Sequence, residues 1–291
     1  MAAGRMARRP YLQPMVVLSN VLPHPALRPY VNHYFLLHMD LKSVPAGQRI
    51  KPFPPDADQV LYFYPRSDVK TVVPDTAETR VNASSIFVGQ QTSRINLHFG
   101  EDHLIICVCF RAGFLHQFLG KLPLTAFQGK EVSAEDLTDN RIRDLNDQLR
   151  AETDYWRMLR LIDVYLRQSI ARISVDLQPI DRAIVAMKKA RQSLSLDWLA
   201  DQACLSPRQF ERKFMERMGM SPKFYARIAR FDQAYKLKVS NPTLDWLDVA
   251  YSCGYFDFSH LVRDFRQFAE VTPSMLLAQE LASPDYHILR V

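Results

Sequence analysis

Residues 206–238 concentrate side chains that could bind a polyanion. This segment holds nine lysines and arginines against three acids. Arginine can neutralise phosphates and donate two hydrogen bonds to a guanine edge, and glutamate can accept one from a cytosine amino group. Arg208, Glu211 and Arg212 have the most suitable spacing, since the two arginines lie one helical turn apart. A basic stretch is also common on a solvated helix face, so the chemistry depends on the element that presents these residues.

The residues around this set predict a capped helix. Ser206 can cap free backbone N–H groups, Pro207 suits the first helical position, and Gln209 completes a capping box. An apolar stripe follows at four-residue spacing, formed by Phe210, Phe214 and Met218. Gly219 is a typical helix end. The stripe predicts a helix that packs on one side and leaves its charged residues on the others.

The same pattern occurs twice. Phe214 and Phe265 are 51 residues apart, as are Pro222 and Pro273, whereas Ala200 and Ala250 are 50 apart. The second copy therefore has one extra residue in its turn. The segment 222–239 predicts a long helix that joins the two helix-turn-helix units. Two units on one chain can occupy two major-groove segments without a dimer, which indicates a DNA-binding regulator.

Residues from about 180 to 280 resemble the DNA-binding domain of AraC/XylS-type transcription regulators. The resemblance rests on the order and spacing of SPRQFERKF at 206–214, GMSP at 219–222, VA at 249–250, GY at 254–255, RDFR at 263–266 and TP at 272–273. It implies seven helices in two units bridged by a long helix. Glu270 replaces the usual glycine at the end of the second recognition helix, and Leu276 stands where an aromatic residue is common.

The resemblance also implies which side chains meet DNA. The expected DNA-binding residues are Arg208, Glu211, Arg212, Lys213, Lys223, Phe258, Ser259, Val262, Arg263 and Arg266. In the second recognition helix only Ser259 and Arg263 offer ordinary hydrogen-bond readout, while Phe258 and Val262 suit thymine methyl groups. Lys223 follows a helix start, where backbone N–H groups often meet a phosphate. The alternative for Arg263 is a salt bridge within the domain.

The two units differ in charge. Residues 243–273 hold two arginines against five acids, in contrast to the basic first unit. We therefore expect the first unit to make most of the phosphate contacts.

The N-terminal part predicts a small β domain, so the fold class is α+β. Short runs rich in β-branched and aromatic residues, separated by Pro, Gly, Asp and Asn, predict strands near 58–64, 70–73, 85–88, 94–99 and 104–110. Helices are expected at 113–119, 131–150 and 154–170. Residues 20–140 resemble, more weakly, the cupin-like β-barrel sensor domains of some AraC-type regulators, through PALRPYV at 25–31, PDAD at 55–58, VGQQ at 88–91 and FRAGF at 110–114.

These patterns give a division of the chain. We expect a flexible basic tail over 1–19, a β-rich sensor or dimerisation domain over 20–150, a helix and linker over 151–179, the DNA-binding domain over 180–282 and a C-terminal tail over 283–291. No apolar run approaches the length of a membrane span, and the N-terminus lacks the apolar stretch of a signal peptide. Four cysteines at 107, 109, 204 and 253 predict reduced core thiols in a cytoplasmic protein.

The β domain also holds residues that could bind a metal. These are His33, His38, His98, His103, Cys107 and Cys109. His98 and His103 span a predicted turn, and Cys107 and Cys109 would face one side of a strand as packing residues do, so structural roles are favoured over a metal site. No serine–histidine–aspartate array, phosphate-binding glycine loop or zinc-type CxxC pair occurs. We expect no enzyme activity, no metal and no cofactor.

The sequence thus predicts a one-component transcription regulator whose helical domain binds double-stranded promoter DNA. The β domain is expected to sense an unidentified small-molecule effector or to dimerise, and RNA polymerase is a possible partner. The apolar face of helix 154–170, formed by Trp156, Leu159, Ile162, Leu166 and Ile170, could make a homodimer or pack on its own domain. Two alternatives remain: a metal-binding or catalytic barrel with an accessory DNA-binding domain, and an architectural protein whose β domain only dimerises.

Overall fold

The N-terminal domain is built on two antiparallel sheets. The computed structural model describes residues 15–127, 130–173, 178–190 and 194–286. The strands are β1 Met15–Val21, β2 Val31–Asp40, β3 Ile50–Phe53, β4 Val60–Phe63, β5 Lys70–Val72, β6 Thr79–Val81, β7 Ser85–Val88, β8 Ile95–His98, β9 Asp102–Phe110 and β10 Glu131–Ser133. One sheet has the order β1-β2-β9-β4-β7-β10 and the other β3-β8-β5-β6. The α+β class is confirmed, but the expected barrel is not closed because the strands form two separate sheets.

Strand β9 shows how the first sheet separates two apolar cores. Its residues Leu104, Ile106 and Val108 pack against the helices of this domain. The alternate residues, Ile105, Cys107 and Cys109, face the second sheet. This follows from the two-residue period of a strand. The two cysteines therefore pack side by side, as the sequence predicted.

Within the described residues, four helices belong to the β domain. They are α1 Phe114–Phe118, α2 Ala134–Leu137, α3 Arg141–Ala151 and α4 Tyr155–Ile170. The helix expected at 131–150 is wrong at its start, because residues 131–133 pair with β7 as strand β10. The apolar face of α4 lies on its own domain: Leu159, Ile162 and Leu166 are buried there, while Trp156 is 53% exposed. Apart from Trp156 and the half-buried Ile170, the stripe considered for a homodimer is therefore covered within the chain.

Seven helices follow in the described part of the C-terminal region. They are α5 Pro179–Lys189, α6 Leu196–Gln202, α7 Pro207–Met218, α8 Pro222–Ser240, α9 Trp246–Ser252, α10 Phe258–Ala269 and α11 Pro273–Ala282. Phe210 and Phe214 of α7, Phe231 of α8, and Phe265 and Phe268 of α10 are fully buried in one shared core. The long helix α8 thus joins two helix-turn-helix units, α6–α7 and α9–α10. No helix within the described ranges combines the length and hydropathy that a membrane crossing needs.

The described structure reaches into both of the expected tails. Residues 15–19 belong to β1, and the remainder of the N-terminal tail lies outside the described residues. Ser283, Asp285 and Tyr286 are buried, so the chain remains packed beyond α11. Residues 287–291 and part of the expected linker, 174–177, also lie outside the described residues.

Candidate nucleic-acid interface

The turn of the first unit is fixed by backbone and side-chain hydrogen bonds. The N–H of Leu205 donates to the carbonyl of Ala200 (3.0 Å), which closes the turn after α6. Ser206 and Gln209 form the predicted capping box, with the Gln209 side chain 3.0 Å from the Ser206 N–H. Gly219 ends α7 with a φ of 74°, in the left-handed region that favours glycine.

The second unit repeats this turn with one insertion. The N–H of Tyr255 donates to the carbonyl of Ala250 (2.9 Å), so these two residues match Leu205 and Ala200 with an offset of 50. The cap of α10 is Asp257, which matches Ser206 with an offset of 51. Phe256 is therefore the extra residue. With the offset of 50, Cys253 matches Ala203 and Cys204 matches Gly254, so the two turn cysteines do not occupy equivalent positions.

Because it matches Gly254, Cys204 occupies a different position in its turn from Cys253. It has a φ of 53° where the second unit has Gly254 at 75°. Its side chain is exposed, whereas the other three cysteines are buried, so it is not the core thiol that the sequence predicted.

Helix α7 presents polar side chains opposite its buried stripe. Arg208, Glu211 and Arg212 are all exposed. Neither arginine forms an ion pair with any described residue, so both guanidinium groups keep their donors available. This is the arrangement that base-edge or phosphate contacts need.

Lys213 lies elsewhere. It is half-buried, and its ammonium is 3.4 Å from the amide oxygen of Gln178. It borders a crevice with His116 and Lys121 of the β domain. Lys213 is thus on the side of α7 that faces the β domain and not beside Arg208 and Arg212.

Helix α10 presents a less charged surface. Ser259, Arg263 and Arg266 are exposed, Val262 is half-buried, and Phe258 is 39% exposed. Arg263 makes no ion pair in the described part of the chain, so the salt-bridge alternative does not hold there. Helices α7 and α10 both border a cleft of about 820 Å³ between the units, lined by Glu211, Lys223, Arg227, Arg263 and Gln267 among others.

Many of the cations between 206 and 238 are already paired. Arg217 is buried and lies 2.9 Å from Asp181. Arg227 and Arg230 on α8 both bind Asp264 of α10, at 2.6 and 3.4 Å. Two more cations, Lys236 and Lys238, bind Asp232 and the carbonyl of Leu244. The surface that carries exposed, unpaired cations is therefore smaller than the sequence indicated. Its main residues are Arg208, Arg212 and Lys223.

Glu270 ends α10 where the resemblance implies a glycine. Its φ of 62° lies in the left-handed region, which costs a side-chain-bearing residue about 1 kcal/mol. We expect Glu270→Gly to raise the free energy of unfolding by about 1 kcal/mol in a urea titration. Ala269→Gly, one residue earlier and still helical, should instead lower it by about 1 kcal/mol. A Glu270→Gly variant of equal or lower stability would contradict this account.

The β domain contacts helix α7 of the first unit directly. The Gln59 side chain donates to the carbonyl of Arg217 near the end of α7 (3.1 Å) and accepts from the N–H of Gly113 (3.1 Å). A Cβ added at Gly219 would lie 2.7 Å from the carbonyl oxygen of Leu124. The end of α7 thus rests on the β domain with no intervening element.

Buried charges also bridge the two domains. Lys51 of β3 binds Glu280 (2.9 Å) and Asp285 (2.6 Å). Burial lowers the pKa of Lys51, but the carboxylates of Asp285 and Glu280 outweigh it and raise that pKa above its ordinary value. All three side chains are largely shielded from water, so they form a compact charged bridge.

A second bridge is made by Asp58 of the β domain, which lies close to Asp56. Asp58 binds Lys188 of α5 and Lys236 of α8. Burial, together with the neighbouring Asp58, raises the pKa of Asp56 to about 7. This part of the interface therefore contains a carboxyl group that titrates near neutrality.

The residues considered for a metal site do not converge. His103 is buried and stacked on Phe99, with ring centroids 4.0 Å apart, and burial lowers its pKa to about 4. His38 lies instead between Tyr155 and Asp102. Among the described residues, no three His, Cys, Asp or Glu side chains are grouped so that they could hold a metal.

Two family matches cover most of the described chain. Residues 199–279 match the helix-turn-helix domain family, and residues 19–133 match a domain family of unknown function. No curated protein sequence matches the chain.

Several solved structures are similar to it. Unsaturated-fatty-acid-bound ToxT from Vibrio cholerae is 12% identical, with a TM-score of 0.48 over 84% of this chain and 95% of that one. The DNA-binding domain of AdpA, in complex with a target DNA, is 23% identical, with a TM-score of 0.34 over 36% and 96%. An AraC-type regulator from Chromobacterium violaceum is 24% identical, with a TM-score of 0.32 over 35% and 90%.

Proposed function

We propose that this protein binds promoter DNA sequence-specifically and regulates transcription in response to an effector. The premise is that residues 199–279 match the helix-turn-helix domain family and resemble AraC-type DNA-binding domains. The observation that carries the proposal is the pair of helices α7 and α10. Each buries one face in a common core and exposes unpaired arginines on the other. Helices of this kind enter consecutive major-groove segments.

The decisive experiment selects the DNA that the protein prefers. The full-length protein is used to enrich duplexes from a randomised library. The affinity of the most enriched duplex is then compared with that of a random duplex at fixed salt. We expect an enriched sequence with two conserved segments about one helical turn apart, bound at least about 10³-fold more tightly than random DNA. Failure to enrich any sequence would overturn the proposal.

Arg212→Ala tests the first recognition helix. A bidentate arginine–guanine pair contributes about 1–3 kcal/mol of discrimination, so the variant should bind the selected duplex about 10- to 100-fold more weakly. It should also tolerate substitution at one base pair that the wild type requires. The Glu216→Ala variant, altered on the same helix but beside the β domain, is the matched control. Unchanged affinity and preference in a folded Arg212→Ala protein would refute the base contact.

Lys223→Ala tests the phosphate contacts of the first unit. Lys223 is exposed at the start of α8, where the positive end of the helix dipole also favours an anion. Its removal should reduce the slope of log affinity against log salt by about one. Arg266→Ala, on the acidic second unit, should reduce the slope less. Equal reductions, measured by anisotropy over a salt series, would contradict the dominance of the first unit.

The contact between the domains supports a route for effector control. Gln59 joins the β domain to the last turn of α7, so a rearrangement of the 55–59 segment would act on the recognition helix without an intermediate. The test measures affinity for the selected duplex while adding fractions of a small-molecule cell extract. We expect one fraction to change the affinity of the wild type and to act less on Gln59→Ala. If no fraction changes the affinity of the wild type for the duplex, the alternative of an architectural protein would be favoured.

A further inference from the structure

The turn before α10 exposes a large apolar side chain to solvent. Phe256 is 86% exposed, the highest value among the large apolar side chains of the described residues. It is also the one residue that the second turn has and the first lacks. Phe258, two residues later at the first position of α10, is 39% exposed. Two aromatic side chains, two residues apart, are thus exposed to solvent at the start of α10.

The backbone on both sides of Phe256 is fixed. The Tyr255 N–H is bonded to Ala250, and its buried ring lies under the Arg230 guanidinium, 4.5 Å from the ring centroid. On the other side, the Asp257 carboxylate accepts from the N–H of His260 (2.6 Å) as the cap of α10. Phe256 is thus presented between two anchors, so binding would cost little ordering of the turn.

We propose that Phe256 and Phe258 form an apolar prong that contacts thymine C5-methyl groups in the major groove and gives the second unit its sequence preference. The inference rests on the proposed DNA-binding function and deepens it by naming the bases read. The prong lies at the N-terminal end of α10, the part of a recognition helix that meets base edges.

The charge of the second unit favours this mode of recognition. Residues 243–273 carry an excess of three acids, and Asp264 is already used by Arg227 and Arg230. The unit itself holds two cations, Arg263 and Arg266, so it can make fewer phosphate contacts than the first unit. Thymine offers an apolar group in the major groove that does not depend on charge. A thymine-containing segment of duplex DNA fits this surface.

The experiment removes single methyl groups from the DNA. In the duplex selected by the wild type, each thymine of the second segment is replaced in turn by deoxyuridine, which differs only by that methyl. Burial of one methyl is worth about 0.8 kcal/mol, so wild-type affinity should fall about 4-fold at one or more positions. Phe256→Ala should bind the unmodified duplex about 10-fold more weakly and show no further loss at those positions.

Two controls separate the possible failures. Trp156→Ala removes another exposed aromatic side chain, on the β domain, and should leave affinity and thymine dependence unchanged. Thermal unfolding checks that Phe256→Ala is folded, as its exposure predicts. Phe258→Ala, tested in the same way, should lose sensitivity at a neighbouring position.

Three outcomes would overturn the inference while leaving the proposed function intact. They are unchanged affinity of both phenylalanine variants, a wild type indifferent to deoxyuridine throughout the second segment, and a selected second segment without thymine. A wild type that enriches no sequence would instead remove the proposed function itself.

Discussion

Asp264→Ala should lower the free energy of unfolding by about 3 kcal/mol, because it leaves two partly buried cations without their shared partner. The Asp264 side chain is 1% exposed and accepts hydrogen bonds from Arg227 and Arg230. Both arginines lie on α8, whereas Asp264 lies on α10. The carboxylate therefore fixes the second recognition helix against the helix that joins the two units.

Urea unfolding checks this expectation, with the exposed Asp248→Ala on α9 as the control that should change stability by less than about 0.5 kcal/mol. Adding Arg227→Met and Arg230→Met to Asp264→Ala should recover part of the loss, because no unpaired cation then remains. A loss in Asp264→Ala as small as that of the control would refute the assigned role. The role would also be refuted if the triple variant were less stable than Asp264→Ala by the sum of the losses that Arg227→Met and Arg230→Met cause separately.

Lys51→Met should have a comparable effect on the contact between the domains. Its ammonium lies between Glu280 and Asp285, whose side chains are 1% and 6% exposed. Removing it leaves two buried carboxylates facing each other, which we expect to lower the free energy of unfolding by about 3–5 kcal/mol. Hydrogen exchange should increase in β3 and α11, the elements that this lysine joins.

Lys42→Met, an exposed lysine of the same domain, is the matched control and should change neither stability nor exchange. Glu280→Gln combined with Lys51→Met should be more stable than Lys51→Met alone, because one buried charge is removed. If Lys51→Met unfolds like the control, Lys51 does not bridge the domains in solution.

The helical domain was predictable from the sequence because its signals are local. Ser206, Gln209 and Gly219 specify the ends of α7 within one turn each, and the structure has them as predicted. The resemblance to AraC-type DNA-binding domains is confirmed by the match over residues 199–279. The spacing also revealed the extra residue, but identifying it as Phe256 required the hydrogen bonds of the two turns.

The β domain was harder to predict because both faces of its central strands are buried. In β2, Leu36 packs on the helices and Leu37 on the second sheet, so the alternation that marks a half-exposed strand is absent. Residues 131–133 resemble a helix start and become a strand only through pairing with β7.

The pairing of the cations depends on contacts distant in sequence. Lys51 and Glu280 are 229 residues apart, and no local pattern relates them. For the same reason the charge excess of residues 206–238 overstated the basic surface, since Asp264 and Asp181 neutralise part of it from other elements.

The core of the helical domain includes residues of the β domain. Ala57 and Ala112 are 1% and 7% exposed within the same apolar cluster as Phe214 and Tyr225, and the Tyr225 hydroxyl donates to the carbonyl of Ala57 (3.2 Å). Neither part is therefore an interchangeable module. A chimaera joined between α4 and α5 would carry a foreign surface against α7 and α8, and it would need the 55–59 and 112–127 segments of this chain to restore that packing.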